Sequence, residues 1–235
     1  MLRALIVDDI DMIRTSLSRK VEEIDTGVIV MGTARNGQQA LDMLAEDYAD
    51  ICITDVRMPI MDGMELIRAL LEQYPWMSSI VVSNFDDFHY VKTSLQYDAV
   101  DFILKPIRIE ALQGALMKAS GKIKQQRVQQ ASELLLKHMV SQKSLFQQWI
   151  QDIVHNRFVS LPVLIMDTLE LFERWAEQRF YLLEDLAEAW FQWIVKELET
   201  QYGKKCIPDQ ENAMEVRMAP AGYLEARRYF RMKAV

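Results

Sequence analysis

The sequence has 235 residues, of which 50% are hydrophobic, and a formal net charge of −7 at pH 7. This composition is typical of a soluble globular protein with enough chain for one large or two small domains. It excludes a membrane-spanning or disulfide-rich protein, because no apolar run approaches the roughly 20 residues that cross a bilayer and only 2 cysteines occur. The N-terminus also lacks the long apolar stretch of a signal peptide, so we expect a cytoplasmic protein with no membrane partner.

The charge is distributed unevenly along the chain. Acidic residues are in excess within residues 1–121, whereas residues 203–235 carry a small basic excess. Such a distribution is compatible with a divalent-metal site in the first half and a polyanion-binding segment at the end, although a solvated surface explains it more simply.

The first half of the chain alternates short apolar runs with helical patterns. Strands are predicted at 3–7, 28–34, 50–54, 79–82 and 99–104, and helices at 10–21, 38–47, 64–74 and 85–96. Asn36-Gly37 marks a turn after the second strand, and Pro75 ends the third helix. Five strands that alternate with helices predict an α/β domain with a parallel sheet and right-handed crossovers.

Polar residues follow four of the five predicted strand ends. They are Asp8 and Asp9 after the first strand, Asp55 after the third, Ser83 after the fourth, and Lys105-Pro106 after the fifth. Ligand sites in such sheets lie at the carboxyl ends of the strands. Each residue alone is explained as a helix cap, a turn residue or a surface charge. Together they favour one functional site.

The chemistry of this set is specific. Three converging carboxylates repel one another unless they share a cation, and Mg²⁺ is the hard cation that suits oxygen ligands. The Lys105 ammonium and the Ser83 hydroxyl are suited to binding the oxygens of a phosphoryl group. The carboxylate of Asp55 is then a candidate nucleophile that forms an aspartyl phosphate.

The segments LIVDDIDMIR, ITDVRMPIMDGMELI, VVSNFDDF and VDFILKPI resemble the receiver domain of bacterial response regulators, over about the first half of the chain. The resemblance implies a five-stranded, doubly wound, flavodoxin-like fold. It also implies that a sensor histidine kinase phosphorylates Asp55. Mg²⁺ would be held by Asp9, Asp55 and the backbone carbonyl of Arg57, while Asp8 assists through water.

The same resemblance implies a conformational switch. Ser83 would move toward the phosphoryl group while Phe102 changes rotamer, and the peptide bond before Pro106 is commonly cis in the family. Asn84 replaces a residue that is usually small, so it bears on the lifetime of the phosphoryl group. Asp98 replaces a common glycine in a left-handed turn. The only catalysis expected is the slow loss of the chain's own phosphoryl group, so no enzyme acting on small molecules is predicted.

The last helix of the receiver is predicted to start near Ile109, and the chain after it is also predicted to be helical. Apolar residues at 109, 112, 116, 119 and 123 form a seam that turns polar after Ile123, which leaves a short dimer contact and a plain linker helix equally open. Gly121 is a candidate helix break. Residues 131–200 carry large apolar groups at helical spacing and predict an all-α bundle with no catalytic constellation.

The last segment bears on the output. The FDDF run after Ser83 resembles receivers of AraC-type transcription factors, and the spacing of Ile207, Ala213, Val216, Met218 and Pro220 is similar to the first helix-turn-helix of that family. That similarity implies that DNA is contacted by Arg227, Arg228, Arg231 and Lys233. The full pair of units needs roughly 100 residues, so we expect the AraC-type output to be incomplete here. A basic helical tail with no nucleic-acid role is a nearly equal alternative.

The sequence thus predicts three regions, which are a receiver domain at 1–121, a helical linker or bundle at 122–200 and a partial helix-turn-helix-like tail at 201–235. The predicted protein is a response regulator that controls transcription, with a histidine kinase, DNA and a second copy of the chain as partners. The alternative is a receiver that controls a helical protein-interaction or dimerisation domain without DNA contact.

Overall fold

The structure is a computed structural model that describes residues 1–84, 98–157, 159–177 and 179–202. The predicted helix at 85–96 and the whole predicted DNA-binding tail lie outside the described residues. The described chain divides into two compact units, a receiver unit that ends at Lys124 and a helical unit that begins at Gln125. The three predicted domain boundaries stay predictions.

The receiver unit is built on one sheet of five parallel strands. The strands are β1 (Leu2–Val7), β2 (Val28–Ala34), β3 (Ile51–Asp55), β4 (Ser78–Ser83) and β5 (Asp101–Leu104), in the order β2-β1-β3-β4-β5. This order is that of the flavodoxin-like doubly wound fold, whose ligand site lies where the strand order reverses, between β1 and β3. The predicted fold class is confirmed.

Helices cover both faces of this sheet. They are α1 (Asp11–Glu23), α2 (Gly37–Glu46), α3 (Gly63–Gln73) and α4 (Ile109–Met139). Successive residues of a strand face opposite sides, so Ala4 and Ile6 of β1 pack with α1 and α4, whereas Leu5 and Val7 pack with α2 and α3. Two hydrophobic layers therefore hold the sheet and fix the positions of its strand ends.

Local capping sets where two of these helices begin. The Asn36 side chain accepts a hydrogen bond of 2.9 Å from the Gln39 backbone N–H, so the predicted Asn36-Gly37 turn is the start of α2. Asp62 and Glu65 form a capping box at the start of α3. The beginning of α3 is thereby fixed close to the end of β3.

Helix α4 corrects two interpretations of the sequence. It runs through Gly121 without a break, so that glycine, a candidate break, does not end the helix. Its apolar residues at 112, 116, 119 and 123 are buried in the receiver core beside α1 and the sheet. The seam predicted as a dimer contact or a linker helix is therefore, in these turns, the inner face of a receiver helix.

The helical unit comprises the C-terminal part of α4 with α5 (Lys143–Val154), α6 (Leu161–Ala176) and α7 (Leu183–Tyr202). Its core is aromatic, with the Trp190 ring 5.5 Å from that of Phe146 and 5.8 Å from that of Phe172. Trp149 Nε1 donates to Thr168 Oγ1 at 2.9 Å, which satisfies a buried polar group. The predicted all-α region is confirmed. Within the described residues no helix is long and apolar enough to span a membrane.

Candidate functional site

Three carboxylates meet at the carboxyl ends of the two central strands. Asp8 and Asp9 follow β1, and Asp55 is the last residue of β3. One carboxylate oxygen from each of the three lies within 4.8 Å of the others. Asp8 is 2% exposed and Asp55 7% exposed, whereas Asp9 faces solvent. The structure thus brings together the three predicted acidic residues in a partly open cluster.

Lys105 reaches this cluster from the end of β5. Its Nζ lies 2.8 Å from Oδ2 of Asp8 and 3.1 Å from Oδ1 of Asp55. The Lys105 backbone N–H donates to the Ser83 carbonyl at 2.7 Å, and the peptide bond to Pro106 is cis. A further lysine, Lys20 of α1, donates from Nζ to the Ile107 carbonyl at 2.6 Å and ties the loop after Pro106 to α1. The loop that carries the Lys105 ammonium is therefore held by β4 on one side and by α1 on the other.

Asp8 is fixed at each of its polar groups. Its Oδ1 accepts a hydrogen bond of 2.9 Å from the Ile10 N–H, and its Oδ2 accepts from Lys105. The Asp8 N–H donates to the Ala34 carbonyl at 3.1 Å, and the Asp8 carbonyl accepts from Arg14 Nη1 at 2.6 Å. With both carboxylate oxygens already hydrogen-bonded, Asp8 is suited to supporting a cation indirectly.

The connection from β3 to α3 is unusually close. Thr54 Oγ1 donates to the Asp55 carbonyl at 2.9 Å, and the Gly63 N–H donates to the Val56 carbonyl at 2.9 Å. A Cβ on Gly63 would lie only 1.9 Å from the Asp55 carbonyl oxygen, so no side chain fits there. Sequence reasoning missed Gly63 as a site residue, although the Asp62-Gly63 pair before a helical pattern was a visible signal.

The remaining predicted site residues lie around the same edge. Ser83 is buried at the end of β4, and its Oγ donates to the Asn84 carbonyl at 3.4 Å. In the sheet register Asp55 pairs with Val82, so Ser83 lies one residue beyond Asp55 on the neighbouring strand. Phe102 of β5 is partly buried against a cluster that contains Val56, Met64, Ile67, Val81 and Ala99. Asn84 and Arg57 are exposed.

Burial and charge shift the proton affinities of the two central groups. Burial raises the pKa of the Asp55 carboxyl above its ordinary value of 3.8, and the Asp8 charge adds to the rise, while Lys105 opposes it. Burial also acts to lower the pKa of Lys105, but the bonds and charges of Asp8 and Asp55 outweigh burial and raise it above 10.5. Lys105 is therefore a fixed positive charge at neutral pH.

The donor set fits a hard divalent cation. Three carboxylates converge on one side, and within the described residues a single ammonium reaches two of them. Mg²⁺ prefers oxygen ligands and keeps several of its bound waters, so a partly open cluster of carboxylates suits it. The pKa of Asp55 is raised first by burial and then, to a smaller extent, by the neighbouring Asp8 charge.

The raised pKa of Asp55 predicts a pH-dependent effect of Asp55→Asn. The folded chain binds the Asp55 proton more tightly than the unfolded chain does, so this contribution to stability is present below pH 3.8 and lost as the pH rises through the raised pKa. We expect Asp55→Asn, without divalent cations, to gain stability over the unsubstituted chain as the pH rises through this window. Urea unfolding across a pH series measures the difference, with Glu72→Gln as a control that removes an exposed carboxylate. A stability difference between the two chains that stays constant as the pH rises through this window would contradict the prediction.

Comparisons with known proteins agree with this geometry. Residues 4–117 match the family model of the response regulator receiver domain. The chain is 32% identical to the uncharacterized transcriptional regulatory protein YesN of Bacillus subtilis, over 59% of this chain and 38% of YesN. It is also 32% identical to the transcriptional regulatory protein MalR of Bacillus subtilis, over 80% of this chain and 78% of MalR. The similarity to MalR thus continues past the receiver into the helical half.

A solved structure is similar as well. The receiver domain of AraT, a response regulator from Geobacillus stearothermophilus, has 28% sequence identity and a TM-score of 0.50, covering 53% of this chain and 97% of that one. Several curated relatives are longer than the matched part, since the chain spans 38% of YesN and 47% of HptR of Staphylococcus aureus (strain N315). The family match and the extent of the MalR alignment show that this chain belongs to the response regulators of two-component systems, with its receiver domain in the first half.

Proposed function

We propose that Asp55 accepts a phosphoryl group from a sensor histidine kinase and that the phosphorylated receiver controls the second half of the chain. The observation that carries this proposal is the contact of Lys105 with both Asp8 and Asp55 beside the exposed Asp9. A buried carboxylate at the end of a strand, next to a fixed cation and a metal-binding pair, is arranged as a nucleophile for phosphoryl transfer.

Each residue has a defined part in the proposed reaction. An Asp55 carboxylate oxygen attacks the phosphorus of a phosphohistidine, the P–N bond breaks, and the imidazole nitrogen leaves with the bonding electrons. Asp9, Asp55 and the Arg57 carbonyl would hold Mg²⁺, with Asp8 acting through water. When bound, Mg²⁺ supplies positive charge that offsets the carboxylates and the incoming phosphoryl oxygens. Lys105 supplies the second positive charge.

The response to phosphorylation would pass through β4 and β5. Ser83 lies one residue beyond Asp55 on the neighbouring strand and Asn84 follows it, so we expect a phosphoryl group on Asp55 to accept a hydrogen bond from the Ser83 hydroxyl. The hydrogen bond from Lys105 to the Ser83 carbonyl couples the ends of the two strands. Phe102, three residues before Lys105, is the side chain that we expect to repack when Ser83 moves.

A small phosphodonor tests the acceptor. Incubation of the full chain with phosphoramidate and MgCl₂ should add the mass of one phosphoryl group. We expect a single site because, within the described site, Asp55 is the carboxylate that contacts Lys105 and lies beside both Asp8 and Asp9. Intact-mass spectrometry follows the reaction. Asp55→Asn should lose the modification, while Asp42→Asn, on α2, should keep it. Modification of Asp55→Asn to the same extent would rule out this acceptor.

For the output, we propose control of transcription. The relatives MalR and YesN are named transcriptional regulatory proteins, and the similarity to MalR includes part of the helical half. The basic tail supplies the candidate DNA contacts Arg227, Arg228, Arg231 and Lys233, which lie outside the described residues. An AraC-type output acting in the cytoplasm, with a second copy of the chain as dimer partner, remains part of this proposal.

A receiver that controls a protein-interaction domain is the second candidate. It is favoured by a groove of about 810 Å³ in the helical unit, which is lined by residues of α4, α5 and α7. Leu136 at its edge is 60% exposed and Val140 is 89% exposed. Large exposed apolar side chains around a groove are a common feature of protein-binding surfaces.

Salt-dependent binding to duplex DNA separates the two candidates. A chain that contacts DNA phosphates should weaken steeply as salt rises, and Arg227→Ala should lower the magnitude of the slope of log K against log salt by about 0.9. Arg157→Ala, which removes an exposed arginine of the helical unit, should leave the slope unchanged. If neither the phosphorylated nor the unphosphorylated chain binds duplex DNA at low salt, the DNA-binding candidate fails and the protein-interaction candidate stands.

A further inference from the structure

Arg14 lies in the first turns of α1, directly beside the acidic turn that follows β1. Its side chain is only 14% exposed. Nη1 donates to the Asp8 carbonyl at 2.6 Å, and Nη2 lies 2.8 Å from Oδ1 of Asp11. The guanidinium therefore links the main chain after β1 to the side chain of Asp11, the first residue of α1.

The group that Arg14 holds is the peptide unit between Asp8 and Asp9. The carboxylate of Asp8 has its own partners, the Ile10 N–H and Lys105. Asp9 differs, because its exposed side chain makes no hydrogen bond or ion pair among the described residues. The direction of the Asp9 side chain consequently depends on the orientation of the Asp8–Asp9 peptide. The hydrogen bond from Arg14 to the Asp8 carbonyl holds that peptide in place.

We propose that Arg14 is a positioning residue for the Mg²⁺ site, which orients the Asp8–Asp9 peptide so that the carboxylate of Asp9 faces Asp55. The inference rests on the proposed function, since it concerns the same cation site. Arg14 contacts no predicted ligand atom of the cation. Its effect is exerted through the main chain, as in metal sites where partners of the ligands hold them in place.

The charge of Arg14 and its bonds have opposite consequences for cation binding. A positive charge near the carboxylates disfavours a second cation, so loss of the charge alone strengthens Mg²⁺ binding. Loss of the bond to the Asp8 carbonyl releases the turn and weakens Mg²⁺ binding. The sign of the change in affinity therefore separates a positioning role from an electrostatic one.

The chain offers a matched control on the same helix. Arg19 also lies on α1 and is exposed, and it makes no hydrogen bond or ion pair with the turn among the described residues. Arg19→Met and Arg14→Met remove the same charge, but only Arg14→Met removes the bond to the Asp8 carbonyl. Arg14→Lys keeps the charge and one donor, and cannot bridge the Asp8 carbonyl and Asp11 with the geometry of a guanidinium.

The test is a titration of the full chain with MgCl₂, followed by the backbone amide NMR signals of the turn after β1. We expect Arg14→Met to raise the Kd for Mg²⁺ by about tenfold. Arg19→Met should leave it unchanged or slightly lower, and Arg14→Lys should give an intermediate Kd. We also expect faster hydrogen exchange of the Ile10 amide in Arg14→Met and not in Arg19→Met.

Tighter Mg²⁺ binding by Arg14→Met, or a Kd equal to that of Arg19→Met, would overturn the positioning role and leave the proposed phosphoacceptor intact. Should Arg14→Met not fold, Arg14→Lys decides the question, because an unchanged Kd in that charge-preserving variant also overturns it. Absence of any Mg²⁺ response in the unsubstituted chain would instead refute the cation site itself.

Discussion

Replacing Gly63 by alanine is expected to lower the free energy of unfolding of the receiver unit by about 3 kcal/mol, which is the upper part of the range for overpacked sites. The added Cβ would lie 1.9 Å from the Asp55 carbonyl oxygen and 3.1 Å from Thr54 Oγ1. A main-chain atom cannot move aside as a flexible side chain can. The start of α3 must shift away from the end of β3, and Asp55 must shift with it.

Gly114→Ala is the matched control for this effect. Gly114 lies inside α4, and a Cβ there would meet nothing within 4 Å. The same chemical change should therefore stabilise the chain by about 0.5–1 kcal/mol, because alanine favours a helix over glycine. Urea unfolding measures both variants. A destabilisation of Gly63→Ala below about 0.5 kcal/mol, within the range of ordinary surface changes, would show that α3 does not approach Asp55 closely.

Lys105→Met should also destabilise the chain by about 3 kcal/mol at neutral pH, since removal of one partner leaves a buried charge uncompensated. Lys105 is 13% exposed and contacts Asp8 and Asp55, whose side chains are 2% and 8% exposed. The loss should shrink in acid, where the Asp55 carboxylate, whose pKa is raised by burial, becomes protonated. Added MgCl₂ should restore part of the stability, because a second cation takes over the role of the ammonium.

The double variant Lys105→Met with Asp55→Asn tests the cause of this loss. If the loss comes from repulsion between the two carboxylates, the second substitution should recover most of it, and the two changes should not be additive. Chemical unfolding of the four chains of the cycle, without divalent cations, gives the interaction energy. Additive effects would mean that the Lys105 stem stabilises the chain by packing and that its charge contributes little.

The strand ends could be predicted from the sequence because the relevant signals are local. Periodicity located β1, β3, β4 and β5, and residue chemistry then identified Asp8, Asp55, Ser83 and Lys105 at their ends. In a parallel sheet, strand ends converge on one edge whatever the details of the loops. The acidic cluster and its lysine therefore followed from pattern alone.

Arg14 and Gly63 could not be found in this way. The role of Arg14 depends on the path of the turn after β1, which turns the Asp8 carbonyl toward α1. The role of Gly63 depends on how closely α3 begins to the end of β3. Both roles depend on where a main-chain carbonyl lies in the folded chain. Residue type and spacing carry no direct record of them.

The errors in α4 have a physical origin too. A three-four apolar repeat is identical for a helix that packs on a sheet and for one that packs on a second helix, so the spacing at 112, 116, 119 and 123 left a dimer contact open, although these residues are buried in the receiver core. Gly121 was a candidate break because glycine is unfavourable in helices. In the structure the helix continues on either side of it, and its cost of about 1 kcal/mol does not end the helix.

The central claim is that Asp55 carries the phosphoryl group. The most direct test is to treat the full chain with phosphoramidate and MgCl₂, reduce the acyl phosphate with borohydride and locate the reduced residue by peptide mass spectrometry. We predict reduction at Asp55 alone, and none without MgCl₂ or without the phosphodonor. Reduction at Asp8, Asp9 or any other carboxylate, with Asp55 unmodified, would contradict the assignment.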